Sequence, residues 1–307
     1  MKTLVLTDGK AGHENQSRAF AAAISGAGGF EVVPVRFKSP LCKILSYALD
    51  RIGVCCEGLL EYGSHSPADV VVGAGSGTFY AAKTLARRQG CKCAAILYPR
   101  GYRLGGFDCI LAPSFDNPAR RGNVVELPVN IVAGGDAFYE AGVASFRERH
   151  ALPSGGRKAA AAIIGGPNKR SFMSADWMKE RLDEMFAATD GMERWVTTSR
   201  RTPPEVEKVV ESYPWDYALI YSKDSYNPIP AFVSLAERLY VTADSTGMLS
   251  EACSRGNAEV RVFDNLAPGG HKFRRFLESL RAGGYVDGRR KADLGECFAR
   301  AKALLGA

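Results

Sequence analysis

No run in this sequence approaches the roughly 18 consecutive apolar residues that a membrane-spanning helix needs, so a helical span is not expected. Met1 and Lys2 lead straight into the apolar run Thr3 to Thr7, and neither a signal peptide nor a transit peptide is read there. The eight cysteines include Cys55-Cys56 and Cys91-x-Cys93 but no C-x-x-C, the spacing of zinc and redox motifs. Reduced thiols and a cytoplasmic location are the expectation. No D-x-D pair closes a predicted strand; Asp8, Asp116 and Asp244 lie far apart, and no metal is expected. There is no basic tail, since residues 1–150 carry 17 Lys and Arg against 13 Asp and Glu. One local absence stands out. Between Phe79 and Phe107 there is no acidic residue, while Lys83, Arg87, Arg88, Lys92, Arg100 and Arg103 all fall there. Such a field suits an anionic partner, a phosphorylated acceptor or a membrane surface rather than nucleic acid, or it is simply a solvated basic helix face.

What is present is a folded composition, 46% hydrophobic and 24% charged over 307 residues, long enough for two α/β units of about 150 residues. Apolar β-type runs alternate with helical patterns, which predicts parallel sheets covered by helices on both faces. The first series runs from Thr3–Thr7 to Cys109–Ala112, with helices predicted at 15–25, 41–52 and 77–88. The stretch 152–158, "LPSGGRK", has the Pro, Ser and Gly of a linker, and the pattern then restarts at Ala159. The expected organisation is an acceptor-side domain over 1–150, a linker at 151–157, a nucleotide-binding domain over 158–285, and a closing helical segment over 286–307. Two such Rossmann-like units would face each other across a cleft at their strand carboxyl ends, where α/β sheets bind ligands.

Three strand-end turns in the second half share one chemistry. "IIGGPNKRSF" (163–172) ends a strand in Gly165, Gly166 and Pro167, where missing side chains would let backbone approach a ligand, followed by Asn168 and Lys169. "WVTTSRRTPPEV" (195–206) supplies Thr198, Ser199, Arg200 and Arg201, the arginines offering planar forks to phosphate. "VTADSTGMLSEA" (241–252) passes through Asp244, Ser245, Thr246, Gly247 and Met248 into a helix whose free N–H groups favour phosphate. Glu251, one turn inside, could accept both hydroxyls of a ribose. Helix capping by Ser245 or Thr246 explains each residue singly. The repetition points to a nucleoside diphosphate.

In the first half, "DGKAGHENQ" (8–16) follows the first strand. His13 could take the proton of an acceptor hydroxyl, with Asp8 and then Glu14 as second choices, or it could merely bond its own loop. Lys10, Gly12, Gly75, Gly77 and Arg100 are the candidate acceptor-side residues. "GAGSGT" (73–78) fails as a nicotinamide fingerprint because Thr78 stands at the third glycine and no acid follows at the ribose position. Leu41, Ile44, Leu45, Ala48, Leu49 and Ile52 recur at helical spacing and predict a core-facing helix, with peripheral membrane contact as the alternative.

"GGPNK", "VTTSRRTP", "NPIP" (227–230, beginning at Asn227) and "VTADSTGMLSEA", in that order, resemble the signature of the mitochondrial-fission Elm family. The resemblance extends to "DGKAGHENQ" and "YPRGYRLGGFDCILAPSFD" (98–116), with Phe115 standing where a histidine is expected. It implies a fold of the glycosyltransferase-B type, with the nucleotide on the C-terminal domain and a candidate base in the N-terminal glycine-histidine loop. Three functions follow. One is metal-independent transfer of a sugar from a nucleoside diphosphate donor, expected to be of the UDP type, to a hydroxyl acceptor that is anionic or held at the inner face of the membrane. The others are nucleotide-sugar epimerisation on the same fold and a non-catalytic scaffold.

Overall fold

The computed structural model describes residues 1–151 and 157–306. The predicted linker therefore lies mostly outside the described residues. In chain order the first elements are β1 (Thr3–Thr7), α1 (Ala11–Ser25), β2 (Phe30–Phe37), α2 (Pro40–Arg51), β3 (Leu60–Tyr62), β4 (Val70–Ala74) and α3 (Phe79–Gln89). There follow β5 (Lys92–Ile96), β6 (Cys109–Pro113), β7 (Val124–Leu127), α4 (Asp136–Arg149), β8 (Ala159–Ile163), α5 (Ala175–Ala188), β9 (Glu193–Thr197) and α6 (Pro204–Glu211). The series closes with β10 (Tyr217–Leu219), α7 (Ile229–Leu235), β11 (Arg238–Thr242), α8 (Thr246–Ser254), β12 (Glu259–Phe263), α9 (Lys272–Ala282) and α10 (Gly295–Leu305).

The chain divides into two compact units, one of Met1–Ala133 with the segment from Asp293 onward, the other of Gly134–Ala292. This moves the predicted boundary at 150. Helix α4 belongs to the second unit because Phe146 sits edge-on to Trp195, Tyr217 and Phe232, all of that unit. The C-terminal helix belongs to the first: Ala301 and Leu305 of α10 are buried there, and Phe298 packs edge-on against Phe20 of α1.

The first sheet has the order β3-β2-β1-β4-β5-β6-β7, parallel apart from the β2–β3 pair. Its period of two sorts side chains between two cores. Val5, Val72, Ala94 and Leu111 point toward α1 and α10; Leu6, Val71, Ala95 and Ile110 point toward α3. The second sheet, β10-β9-β8-β11-β12, is wholly parallel. Ala160, Ala162 and Val196 pack on Met178, Leu182 and Val206 of α5 and α6, while Trp195 meets Phe146 and Phe232 on the other face. Both units are Rossmann-like.

One expectation fails in part. Helix α2 faces the core with Cys42, Tyr47 and Leu49 and buries Ser46 and Asp50, but Leu41, Ile44, Leu45 and Ile52 are exposed. Part of the basic stretch 79–107 is engaged by residues from outside it. Lys83 is buried against Asp50 at 2.6 Å, Arg88 pairs with Glu57, Lys92 with Asp108 at 2.8 Å, and Arg100 donates to the Asp116 carbonyl.

Candidate functional site

In a doubly wound sheet, the crevice opens at the carboxyl ends of the two neighbouring strands where the order reverses. In the second unit these strands are β8 and β11. The predicted residues converge there. The Gly165 N–H donates to Thr242 Oγ1 at 2.8 Å, the Gly166 N–H to Asp244 Oδ2 at 3.1 Å, and Asn168 Nδ2 to the Asp244 carbonyl at 3.0 Å. Arg201 closes the set by donating to Asp244 Oδ2 at 2.6 Å and to the Gly166 carbonyl at 3.0 Å. Thr202 Oγ1 donates to the Gly165 carbonyl at 2.5 Å and accepts from the Ser199 N–H at 2.9 Å. Three turns are thus tied into one.

The buried Asp244 carboxylate is the organiser of these turns rather than a surface for phosphate, which it would repel. The glycines answer to it. A Cβ on Gly165 would overlap the Asp244 carboxylate and one on Gly166 would overlap the Arg201 main chain. Close packing within the loop cluster by itself requires glycine at both positions. Thr198 is likewise occupied, donating to Glu207 Oε1 at 2.9 Å and accepting from the Tyr221 N–H. Asn227 is exposed and accepts from the Ile229 N–H at the start of α7.

What faces solvent is cationic and donor-rich. Pro167, Lys169, Arg200, Arg201 and Gly247 are exposed. Ser245 caps α8 by accepting from the Met248 N–H at 3.3 Å, and Thr246 and Gly247 form its first turn. Glu251 Oε1 accepts from the Tyr139 hydroxyl at 3.0 Å. Burial pushes the Glu251 carboxyl above its ordinary value, against the lowering effects of Tyr139 and then Arg255. The Arg255 guanidinium lies 4.8 Å from the Tyr139 ring centre and donates to the Gly134 carbonyl at 2.7 Å, fixing α4 against α8. Tyr139 carries no sequence signal of this role. Arg255 carries a weak one, as a cation four residues beyond Glu251 at the carboxyl end of α8.

In the first unit the order reverses between β1 and β4. Asp8 and His13 meet at that point: His13 Nδ1 lies 3.1 Å from Asp8 Oδ1, and Lys10 Nζ lies 2.8 Å from Asp8 Oδ2. Burial raises the Asp8 carboxyl, but Lys10 and His13 together outweigh it and hold the group below its ordinary value. An ionised Asp8 favours the Nδ1–H tautomer and leaves the Nε2 lone pair available as a base. Glu14 is already engaged, accepting from Arg18 Nε at 2.8 Å and from Thr7 Oγ1 at 2.9 Å. Gly75, at φ +78°, and Gly77 form the opposite wall: a Cβ on Gly75 would enter the His13 ring, and one on Gly77 would lie 2.8 Å from Asp8. Gly12 has open space around it, and Arg100 is held at Asp116, so neither shares in this contact.

Comparison with known proteins agrees with this frame. The UDP-GlcNAc 2-epimerase of Methanocaldococcus jannaschii superposes at TM-score 0.51 with 12% identity, over 99% of this chain and 98% of that one. MurG of Acinetobacter baumannii gives 0.51 and 10%, over 99% and 90%. These likenesses concern the fold, which is α/β and glycosyltransferase-B-like. The mitochondrial fission protein ELM1 of Arabidopsis thaliana is 33% identical over 127 residues, which are 40% of this chain and 29% of that protein. With residues 11–296 matched by the family model described as Mitochondrial fission ELM1, the chain belongs to that family.

Proposed function

We propose that the protein transfers a sugar from a nucleoside diphosphate donor, of the UDP type, to a hydroxyl acceptor. The observation that carries this reading is the crevice at β8 and β11, where the α8 N-terminus opens beside the exposed Lys169 and Arg200. Helix N-termini and guanidinium forks bind diphosphate by charge-assisted hydrogen bonds. Glu251, with Tyr139 holding one oxygen, has acceptor capacity left for ribose hydroxyls. In the reaction the acceptor hydroxyl loses its proton to His13 Nε2, its oxygen bonds to the anomeric carbon, and the nucleoside diphosphate leaves with the electron pair. Asp8 stabilises the imidazolium that forms. The acceptor is anionic or membrane-associated, met at the cytoplasmic face.

Family membership favours a second reading, a scaffold that keeps the nucleotide site without turnover. The Methanocaldococcus jannaschii protein acts on a nucleotide sugar as an epimerase, which makes epimerisation the third. Calorimetric titration of UDP, GDP, ADP, TDP and CDP separates these from no site at all. Saturable binding of one nucleotide, weakened about tenfold or more in Glu251→Ala, supports the pocket. No heat and no thermal stabilisation with any of them overturns it. Donor turnover lost in His13→Ala then favours the transferase over the scaffold.

A further inference from the structure

Helix α2 turns its apolar residues outward. Leu41 is 75% exposed, Ile44 65%, Leu45 47% and Ile52 71%, and Val54 continues the strip at 42%. The inner face is mixed and fully engaged. Cys42, Tyr47 and Leu49 pack on the core, Tyr47 against Tyr102 with ring centres 4.5 Å apart, and Asp50 accepts from Lys83 Nζ and from the Arg103 N–H, each at 2.6 Å. Those anchors fix the helix from beneath, so the remaining aliphatic side chains are held outward by the fold.

Cations border it. Lys38 precedes the helix and Arg51 lies in its last turn, both exposed. Arg87 Nη1 donates to the Gly53 carbonyl at 2.8 Å, which brings its guanidinium to the end of the strip. Between Lys38 and Cys56 the only acidic residue is the buried Asp50. The exposed acid nearest the end of the strip, Glu57, is paired with Arg88. An aliphatic strip with basic flanks and no unpaired exposed acid is the pattern of a helix lying in a lipid interface. We propose that α2 is a docking face for a bilayer bearing anionic headgroups. A second copy fits poorly, because a twofold contact would set the same cations against each other. A protein partner fits less well, because Leu, Ile and Val make the strip without the aromatic anchors that dominate such interfaces. Among the described residues no helix is long and apolar enough to cross a membrane, so contact through α2 is superficial.

The test is co-sedimentation of the full chain with phosphatidylcholine vesicles, with and without about one third phosphatidylglycerol, an anionic fraction that attracts basic flanks. Expected is binding to the anionic vesicles that falls with salt and drops about tenfold or more in the double variant Leu41→Ser, Ile44→Ser and in Arg51→Glu. These side chains are exposed, so the unfolding midpoint should hold, and Arg51→Glu gives the answer if the double variant misfolds. No binding to anionic vesicles overturns the proposal, as does equal binding by wild type and both variants. A concentration-dependent dimer abolished by the double substitution, without vesicle binding, also overturns it and assigns the face to a second copy. None of these readouts depends on the nucleotide site.

Discussion

Asp244→Ala tests whether one carboxylate organises the three turns at the end of the second sheet. The substitution orphans the buried Gly166 N–H, at a cost of about 1–3 kcal/mol. It also frees the Arg201 guanidinium, whose side chain is 42% exposed and can rehydrate, so that pair contributes at most about 1 kcal/mol. Relief of burying Asp244, whose Oδ1 has no hydrogen-bond partner among the described residues, offsets part of this. A net loss of about 2 kcal/mol follows, or a fall in midpoint of roughly 4–8 °C for a unit of this size. All three tryptophans, Trp177, Trp195 and Trp215, lie in the second unit, so their fluorescence on heating follows that unit alone. Arg201→Ala should cost more than Asp244→Ala, because it leaves the carboxylate buried without its cation. A midpoint for Asp244→Ala within about 1 °C of wild type, or the opposite ranking of the two variants, would refute the assignment.

Gly75→Ala should destabilise the first unit by about 1–3 kcal/mol and impair any His13-dependent turnover, since its Cβ enters the imidazole and its φ is +78°; chemical denaturation and a donor assay check both. Lys83→Ala leaves Asp50 buried without its cation, at a cost of about 3–5 kcal/mol, measurable by the same denaturation. The Asp8 carboxyl is held below its ordinary value of 3.8, so its contribution is present above that pH and is lost as pH falls through the folded value. Asp8→Asn should therefore flatten the acid limb of the stability profile. Glu251 has the opposite sign: it is raised above its ordinary 4.5, its contribution is full below that pH and is lost as pH rises through the folded value. Glu251→Gln should remove this decline on the neutral side, read from unfolding midpoints across the pH range.

Most of the fold was legible because parallel strands buried on both faces read as continuous apolar runs, as in Thr3–Thr7, Val70–Ala74 and Ala159–Ile163. The two strands that escaped notice lack that signal. Leu60–Tyr62 is a three-residue antiparallel edge, and Val124–Leu127 carries an exposed Glu126 within four residues. Helix α2 shows the opposite failure. Its apolar spacing gives a helix correctly and Leu49 inward, but not the exposure of Leu41, Ile44, Leu45 and Ile52, because Asp50, paired with a lysine 33 residues away, is also turned in. The boundary error has the same origin, since a proline-glycine stretch marks a break in pattern while the aromatic contacts of Phe146 decide membership.

The site was legible at the level of turns and not of atoms. Glycine, hydroxyl and arginine at three strand ends are what a phosphate crevice and a self-contained hydrogen-bond cluster both require, so composition alone could not divide the residues between those roles. Burial divides them. Gly165, Gly166, Thr198 and Asp244 face inward and hold the loops, whereas Lys169, Arg200 and the α8 N-terminus face solvent. The same division applies around His13: Asp8, Gly75 and Gly77 shape and orient the ring through Nδ1 and its edge, and Nε2 is the atom that the proposed base role would use. An inward residue should therefore change stability and ligand affinity together. An outward one should change affinity alone, so Lys169→Ala and Arg200→Ala are expected to weaken nucleotide binding with the tryptophan unfolding midpoint unmoved. A shift of several degrees in either variant would place that residue in the scaffold instead.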